Sequence, residues 1–514
     1  MSDRIWNHIS RRRLLGALPA AAVLPSLSPL AAQAQAPQRG GTLRIGLQDG
    51  SSDNSLDPVT YVDSSTYMIG LTLGNCLTEL TPQKEPIPEL AESWESSDGA
   101  KRWAFRIRQG VEFHDGRTLT PADVVYSLNR HIGDDSQSSA KAFLADVTRI
   151  YADGRDVIIE HASGDADIPQ ILADFHFIIL PEGFTDWANF VGTGPYILES
   201  YEPGGRFAAT RNPNYWKAGR AWFDRVEART IPDLAAREAA LAGGQVDFID
   251  GVNFLVFDRY KSNPAFVAQE SVGSRYVSSV MDVRSEPFSN PQVRLALKHA
   301  VPRQQIIEKV LGYAVAGNDH PVPPSDPFFH TELPQREFDP DRASFHLREA
   351  GLGNLSISLS AADAAFTGAV DAGILLSDTA GIAGMSVNVL PEADDQYWTE
   401  VWMAKPFTQA FWFVRPTPGM MFSVAFACEA AWNDAYWCDD RFGQLLRASR
   451  VETDFERRRQ IFWDLQEITH FDGGVIIPAF LSDLEIYAER VMGLEPTAFG
   501  RLCGFRIAER GWFA

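Results

Sequence analysis

Cysteine is scarce in this chain: four among 514 residues, none at C-x2-C spacing, while none of the ten histidines stands at H-x3-H spacing. The common zinc frameworks are thereby removed. Equally absent are G-x-S-x-G, H-E-x-x-H, a P-loop and a complete G-x-G-x-x-G, so no nucleophile or phosphate loop announces itself. Gly192-Thr193-Gly194 is followed by Pro195 and Tyr196 where a phosphate loop needs a helix start, and reads as a structural turn. Basic charge is in deficit, with 46 Lys and Arg against 67 Asp and Glu and a net charge of −21. That balance argues against a nucleic-acid partner, whose phosphates need a basic surface. No polybasic segment offers itself to anionic lipid, and no repeat appears at solenoid or propeller spacing.

What the chain does have begins with an export segment. Ser10-Arg11-Arg12-Arg13-Leu14-Leu15 precedes an apolar run to Leu30, and Gln33-Ala34-Gln35-Ala36 offers a small-residue cleavage site. The paired arginines predict a signal peptide over residues 1–36 of the twin-arginine type. Three prolines break its apolar run, which is too short to span a bilayer. No lipobox cysteine stands near the cleavage site, so the reading is of a freely diffusing periplasmic protein. The roughly 480 residues that follow are too many for one core.

Leu90 to Arg130 is the most informative stretch. Trp103, Phe105 and Ile107 alternate with Ala104, Arg106 and Arg108, the period of a half-buried strand. Ser97-Asp98-Gly99 and His114-Asp115-Gly116 are turns, and Thr120-Pro121-Ala122-Asp123 starts a capped helix. Further along, Gly40–Gly46 and Phe207–Asn212 read as strands, Tyr67–Leu80 and Leu234–Ala242 as helices, and Val277–Val283 as a strand. Asn290-Pro291 opens another helix, as does Asp339-Pro340.

Taken whole, Leu90–Arg130 closely resembles the segment near the start of periplasmic solute-binding proteins of the peptide, dipeptide and nickel class (solute-binding family 5), the receptors of ABC importers. Arg211–Trp216, Asn290–Gly312 with Pro321–Pro324, and Asp339–Gly351 are similar to further blocks of that family. The resemblance implies a two-lobed α/β periplasmic-binding-protein fold, type II-like, with an extra small subdomain in the first lobe. Its expected parts are lobe I at 37–81, an inserted subdomain at 82–194, lobe I again at 195–283, lobe II at 284–482 and a return to lobe I at 483–514. The crossings are expected near Asp282–Pro287 and Pro478–Asp483. The resemblance also implies a monomer without catalytic residues, cofactor or metal, which captures a peptide-like small molecule and hands it to a membrane permease. An oligosaccharide or opine-like conjugate is the alternative cargo, and a ligand-free, chaperone-like member the other. Some relatives close a Cys-to-Trp-Cys segment with a disulfide, which here would join Cys428 to Cys438; Cys76 and Cys503 either pair or remain buried thiols.

In peptide-binding relatives an aspartate after the strand corresponding to Gln409–Val414 pairs with the peptide's ammonium. Here that stretch reads Arg415-Pro416-Thr417-Pro418-Gly419-Met420-Met421-Phe422. The acidic anchor is missing, and an arginine offers a carboxylate or phosphate a bidentate contact instead. Candidate ligand-binding residues are therefore Arg415, the aromatics Trp402, Trp412 and Trp432, Asp434 as a substitute acid beside Asp439 and Glu429, and Asp49 and Tyr61 from the loops after the first strand.

Overall fold

The computed structural model describes residues 37–413 and 415–514; the expected export segment lies outside the described residues. An eleven-stranded sheet runs through the molecule. Its order is Met385–Pro391, Leu355–Ala361, Phe407–Trp412, Phe266–Met281, Val475–Ala488, Phe248–Ile249, Thr42–Leu47, Arg225–Thr230, Arg206–Arg211 and Tyr196–Tyr201, with Ala314–Ala316 added against Val475–Ala488. The two long strands at its centre, of 16 and 14 residues, pair antiparallel and carry the chain between the lobes of a two-lobed α/β fold.

Each lobe has its own core. One packs the helix Pro291–Ala300 and the helix Ala369–Ile382 on the strands Leu355–Ala361 and Met385–Pro391, burying Val293, Leu297, Leu359, Leu376 and Val387. The other gathers Leu43, Ile45, Phe207, Val226 and Phe248 from the sheet with Leu502, Phe505 and Ile507 from the chain end. The end of the chain thus packs into this second core, and Trp512–Phe513 pairs with Val491–Met492.

The Leu90–Arg130 block folds as its residues dictate. Ala91–Ser97, Arg102–Ile107, Asp156–His161 and Val147–Asp153 form a separate four-stranded sheet. Trp103, Phe105 and Ile107 point into its core while Arg106 is exposed. Pro121–Asn129 is a helix whose first turn is closed by a capping box: Thr120 and Asp123 bond reciprocally, the carboxylate accepting from the Thr120 N–H at 2.8 Å. Asn290 and Asp339 cap their helices as the sequence predicts.

One expectation is corrected. The apolar segment to Leu80 is not one helix: Ser64–Leu73 stops at Gly74, and Thr78–Leu80 becomes a strand against Pro86–Pro88. Hydrophobicity there reports burial on every side, which periodicity cannot assign to helix or strand. The central strand pair breaks register twice, between Val272 and Tyr276 and between Val277 and Ser279. Val272 faces Ser482 and Tyr276 faces Phe480, so three residues of one strand oppose one of the other. Gly273 sits in this bulge because a Cβ there would lie 2.9 Å from the Leu481 carbonyl oxygen. Cys428 and Cys438 are joined in a disulfide, and Cys76 and Cys503 are separate, buried thiols.

Candidate ligand-binding cleft

The bulge opens onto a cavity of about 850 Å³, of the size that encloses a small organic solute. Strands and the turns that leave them deliver half of its charged groups, Asp49, Arg275, Arg415 and Asp483. Thr42–Leu47 ends at Gln48, Asp49, Gly50 and Ser51, which line it, and the Gln48 N–H donates to the Asp250 carboxylate at 2.7 Å. The helix Ser64–Leu73 presents its N-terminal end, with Asp63 accepting from the Thr66 N–H at 2.9 Å, and Ser64 and Tyr67 beside it. The central pair contributes Arg275 and Asp483, 3.0 Å apart. Across the cavity, the chain leaving the strand Phe407–Trp412 supplies Phe413, Arg415 and Pro416. A strap near the chain end closes another side with Phe499, Gly500, Arg501 and Phe505.

Arg501 is the hub of the wall. Its guanidinium lies 3.3 Å from the buried Asp250 carboxylate, 3.4 Å from Asp483 and 3.6 Å from Asp49. Burial opposes its charge, but the three carboxylates overcome that and hold its pKa above the ordinary arginine value. Burial also raises Asp250, against the pull of Arg501 and the Gln48 N–H. His176 lines the cavity as well. Its Nδ1 faces the Asp174 carboxylate at 2.5 Å and its Nε2 faces the Tyr61 carbonyl at 3.0 Å, so both ring nitrogens donate. Burial works to lower its pKa, and Asp174 more than reverses that, giving a net rise.

Adjoining the main cavity is an aromatic chamber of about 380 Å³, walled by Trp398, Trp402, Phe411, Trp412, Phe413 and Trp432, with Arg415 shared between the two spaces. Successive rings meet edge to face, as at Trp398–Trp402, 5.6 Å and 75°, and Trp402–Trp412, 6.5 Å and 71°. Behind them Asp434 is buried, and one of its oxygens accepts from the indole N–H of both Trp402 and Trp412 at 3.2 Å. Burial raises its carboxyl to about 6, against the lowering effect of the two indole bonds.

The residues singled out from the sequence therefore fall into three groups. Asp49 and Arg415 line the main cavity; Trp402, Trp412, Trp432 and Arg415 line the aromatic chamber; Asp434 stands behind that chamber instead of facing it. Tyr61 is corrected. It is 1% exposed, belongs to the core of the first lobe and donates its hydroxyl to the Leu56 carbonyl at 3.1 Å. It is the neighbouring Val62, Asp63, Ser64 and Tyr67 that reach the cavity. Sequence reasoning missed Arg275, His176, Asp483 and Arg501, which stand far apart in the chain and share no motif. His114 lies in its expected turn with Nε2 3.2 Å from the Gly194 carbonyl, and burial lowers its pKa to about 4.

Comparison with known proteins agrees with this architecture. A model of the bacterial extracellular solute-binding proteins, family 5, middle region, matches residues 85–434, about two thirds of the 514 residues. A heme-binding protein A of Haemophilus influenzae is 29% identical over 296 residues, 52% of this chain and 54% of its own length. The chain thus spans about half of that relative. A di/tripeptide-binding protein of Pseudomonas aeruginosa is 24% identical over 496 residues, covering 88% of this chain and 92% of its own. The solved structure of HbpA2 from Haemophilus parasuis superimposes with a TM-score of 0.82 at 21% identity, over 92% of this chain and all of that one. With the match extending over most of its length, the chain belongs to the bacterial extracellular solute-binding proteins of family 5.

Proposed function

We propose that this protein is an exported receptor of an ABC importer, and that it captures a peptide-like solute carrying a free carboxylate in the 850 Å³ cavity and delivers it to a membrane permease. The observation that carries this reading is Arg415. It lies at the cavity wall, in the stretch that lacks the acid the peptide-binding resemblance leads one to expect, so a positive charge is offered to the ligand there. A planar guanidinium grips a carboxylate with two parallel N–H donors. Asp49 and Asp63, also at the wall, are placed to receive an ammonium. The disulfide supports an oxidising compartment, where such bonds persist.

The bulge at Gly273 is the point about which the lobes close. Its residues form no regular ladder with the partner strand, so backbone dihedrals can change there at low cost. Closure would shrink the cavity and bury the ligand without chemical change. The lobe boundary on this reading falls at 273–275 and 481.

Calorimetry with dialanine, N-acetyl-dialanine and dialanine amide tests the assignment. Blocking the carboxylate should abolish binding and blocking the amine should weaken it less; Arg415→Ala should lose affinity for the two acids. No binding by any of the three, in the wild type, removes the peptide-like reading. Equal binding of the amide and the free acid removes the role of Arg415.

A further inference from the structure

We infer that the aromatic chamber is a subsite for a planar apolar side chain on the same ligand, joined to the group that Arg415 holds. The inference rests on the preceding reading for the position of the anion and goes beyond it in naming what the rest of the molecule carries. Its first support is continuity. Phe413 and Arg415 line both spaces, so a ligand anchored at Arg415 reaches the chamber without crossing a barrier.

The second support is exposure. Trp398 is 39% exposed, Trp432 51% and Phe413 59%. Rings that served only to fill a core would be covered, because burying such surface is the main gain of folding. Three large aromatic surfaces left bare around one concavity indicate a surface awaiting a partner.

The third support is rigidity. Asp434 is buried and spends one oxygen on two indole N–H groups, fixing Trp402 and Trp412 at the back of the chamber. Retaining a buried carboxylate to orient two side chains costs stability. That cost is recovered where the rings must hold one geometry, since a preorganised pocket gives up less entropy on binding. The edge-to-face chain of rings leaves a slot bounded by edges and faces, which matches another flat ring. A C-terminal aromatic amino acid meets both demands, with its carboxylate and its ring on one residue.

The exported chain should be titrated calorimetrically with Ala-Trp, Ala-Ala and 1-naphthylacetate, alongside the variants Trp432→Ala and Trp398→Ala, whose exposed rings line the chamber and not the main cavity. Ala-Trp should bind at least about tenfold more tightly than Ala-Ala. Both variants should erase that advantage while leaving Ala-Ala affinity within about twofold. Equal affinity of the two dipeptides in the wild type, or an advantage that survives both variants, overturns the subsite and leaves the receptor reading intact. Where neither dipeptide binds, the peptide-like reading fails and 1-naphthylacetate decides: binding lost in Trp432→Ala upholds the subsite, and absence of binding overturns it.

Discussion

The buried carboxylate of Asp434 makes a measurable claim about pH. An aspartate in the unfolded chain titrates near 3.9, and in the folded protein burial lifts this one to about 6. Between those values the native chain binds a proton that the unfolded chain has released, so stability falls as pH rises through the window. The shift is close to two units, and each is worth about 1.4 kcal/mol, so the full cost is about 3 kcal/mol above pH 6. No discount for solvent applies, since the side chain is buried and its partners are indole N–H groups. Asp434→Asn removes the titration and keeps an oxygen for the indoles. Urea unfolding of both proteins, followed by far-ultraviolet circular dichroism from pH 4 to 7.5, isolates the effect, because every other group titrates alike in the two. The stability of the wild type minus that of Asp434→Asn should fall by about 2–3 kcal/mol across this range. A constant offset caused by the amide itself is irrelevant; a flat difference, or one that rises with pH, refutes the placement of the carboxylate.

Other consequences concern what holds the cavity's surroundings together. Arg506 bridges Glu89 at 2.8 Å and Glu509 at 2.9 Å, in a buried cluster completed by Lys217, Glu79 and Arg510; Arg506→Met leaves three buried acids facing two bases and should cost about 3–5 kcal/mol in urea unfolding. A Cβ on Gly194 would fall 2.3 Å from the Leu73 carbonyl carbon and 2.5 Å from the Gly74 nitrogen, both backbone atoms, so Gly194→Ala should lower the melting temperature by several degrees, an overpacking cost of about 1–3 kcal/mol. The Cys428–Cys438 bridge closes a loop with a sequence separation of 10, and replacing both cysteines by serine should cost about 2–3 kcal/mol by chain entropy.

Local chemistry was legible from sequence wherever one short segment determines the outcome. The Thr120 box, the Asn290 and Asp339 caps and the helix Leu234–Ala242 follow from side chains within a few positions of the backbone they satisfy. The aromatic chamber was half legible, because all seven of its lining residues come from one span of 35 residues, Trp398 to Trp432. What escaped is what the tertiary fold assembles. Tyr61 and Val62 are neighbours with opposite fates, 1% and 66% exposed, and nothing in the dipeptide distinguishes them. The bulge at Gly273 depends on the proximity of Leu481, over 200 positions away. Asp174 and the Tyr61 carbonyl converge on His176 and favour its protonated form, a fact of placement and not of composition.

The strap is the extreme case. Leu502, Cys503, Gly504 and Phe505 all take left-handed backbone, with φ of 56°, 58°, 67° and 63°. Each non-glycine residue there costs roughly 1–2 kcal/mol, so local preference opposes the structure and other contacts must over-determine it. Leu502 and Phe505 are buried in the first-lobe core, the Leu502 N–H bonds the buried Glu485 carboxylate, and Arg501 reaches Asp49, Asp250 and Asp483. Of these, the Arg501 contacts can be tested without disturbing the core. Arg501→Met strands Asp250, which is fully buried, and should destabilise by about 3–5 kcal/mol. Adding Asp250→Asn removes the stranded charge, so the double variant should be more stable than Arg501→Met, with a coupling energy of about 1–3 kcal/mol in the full cycle. If the two losses simply add, Asp250 does not depend on Arg501 for its charge, and the strap is held by its buried apolar residues instead.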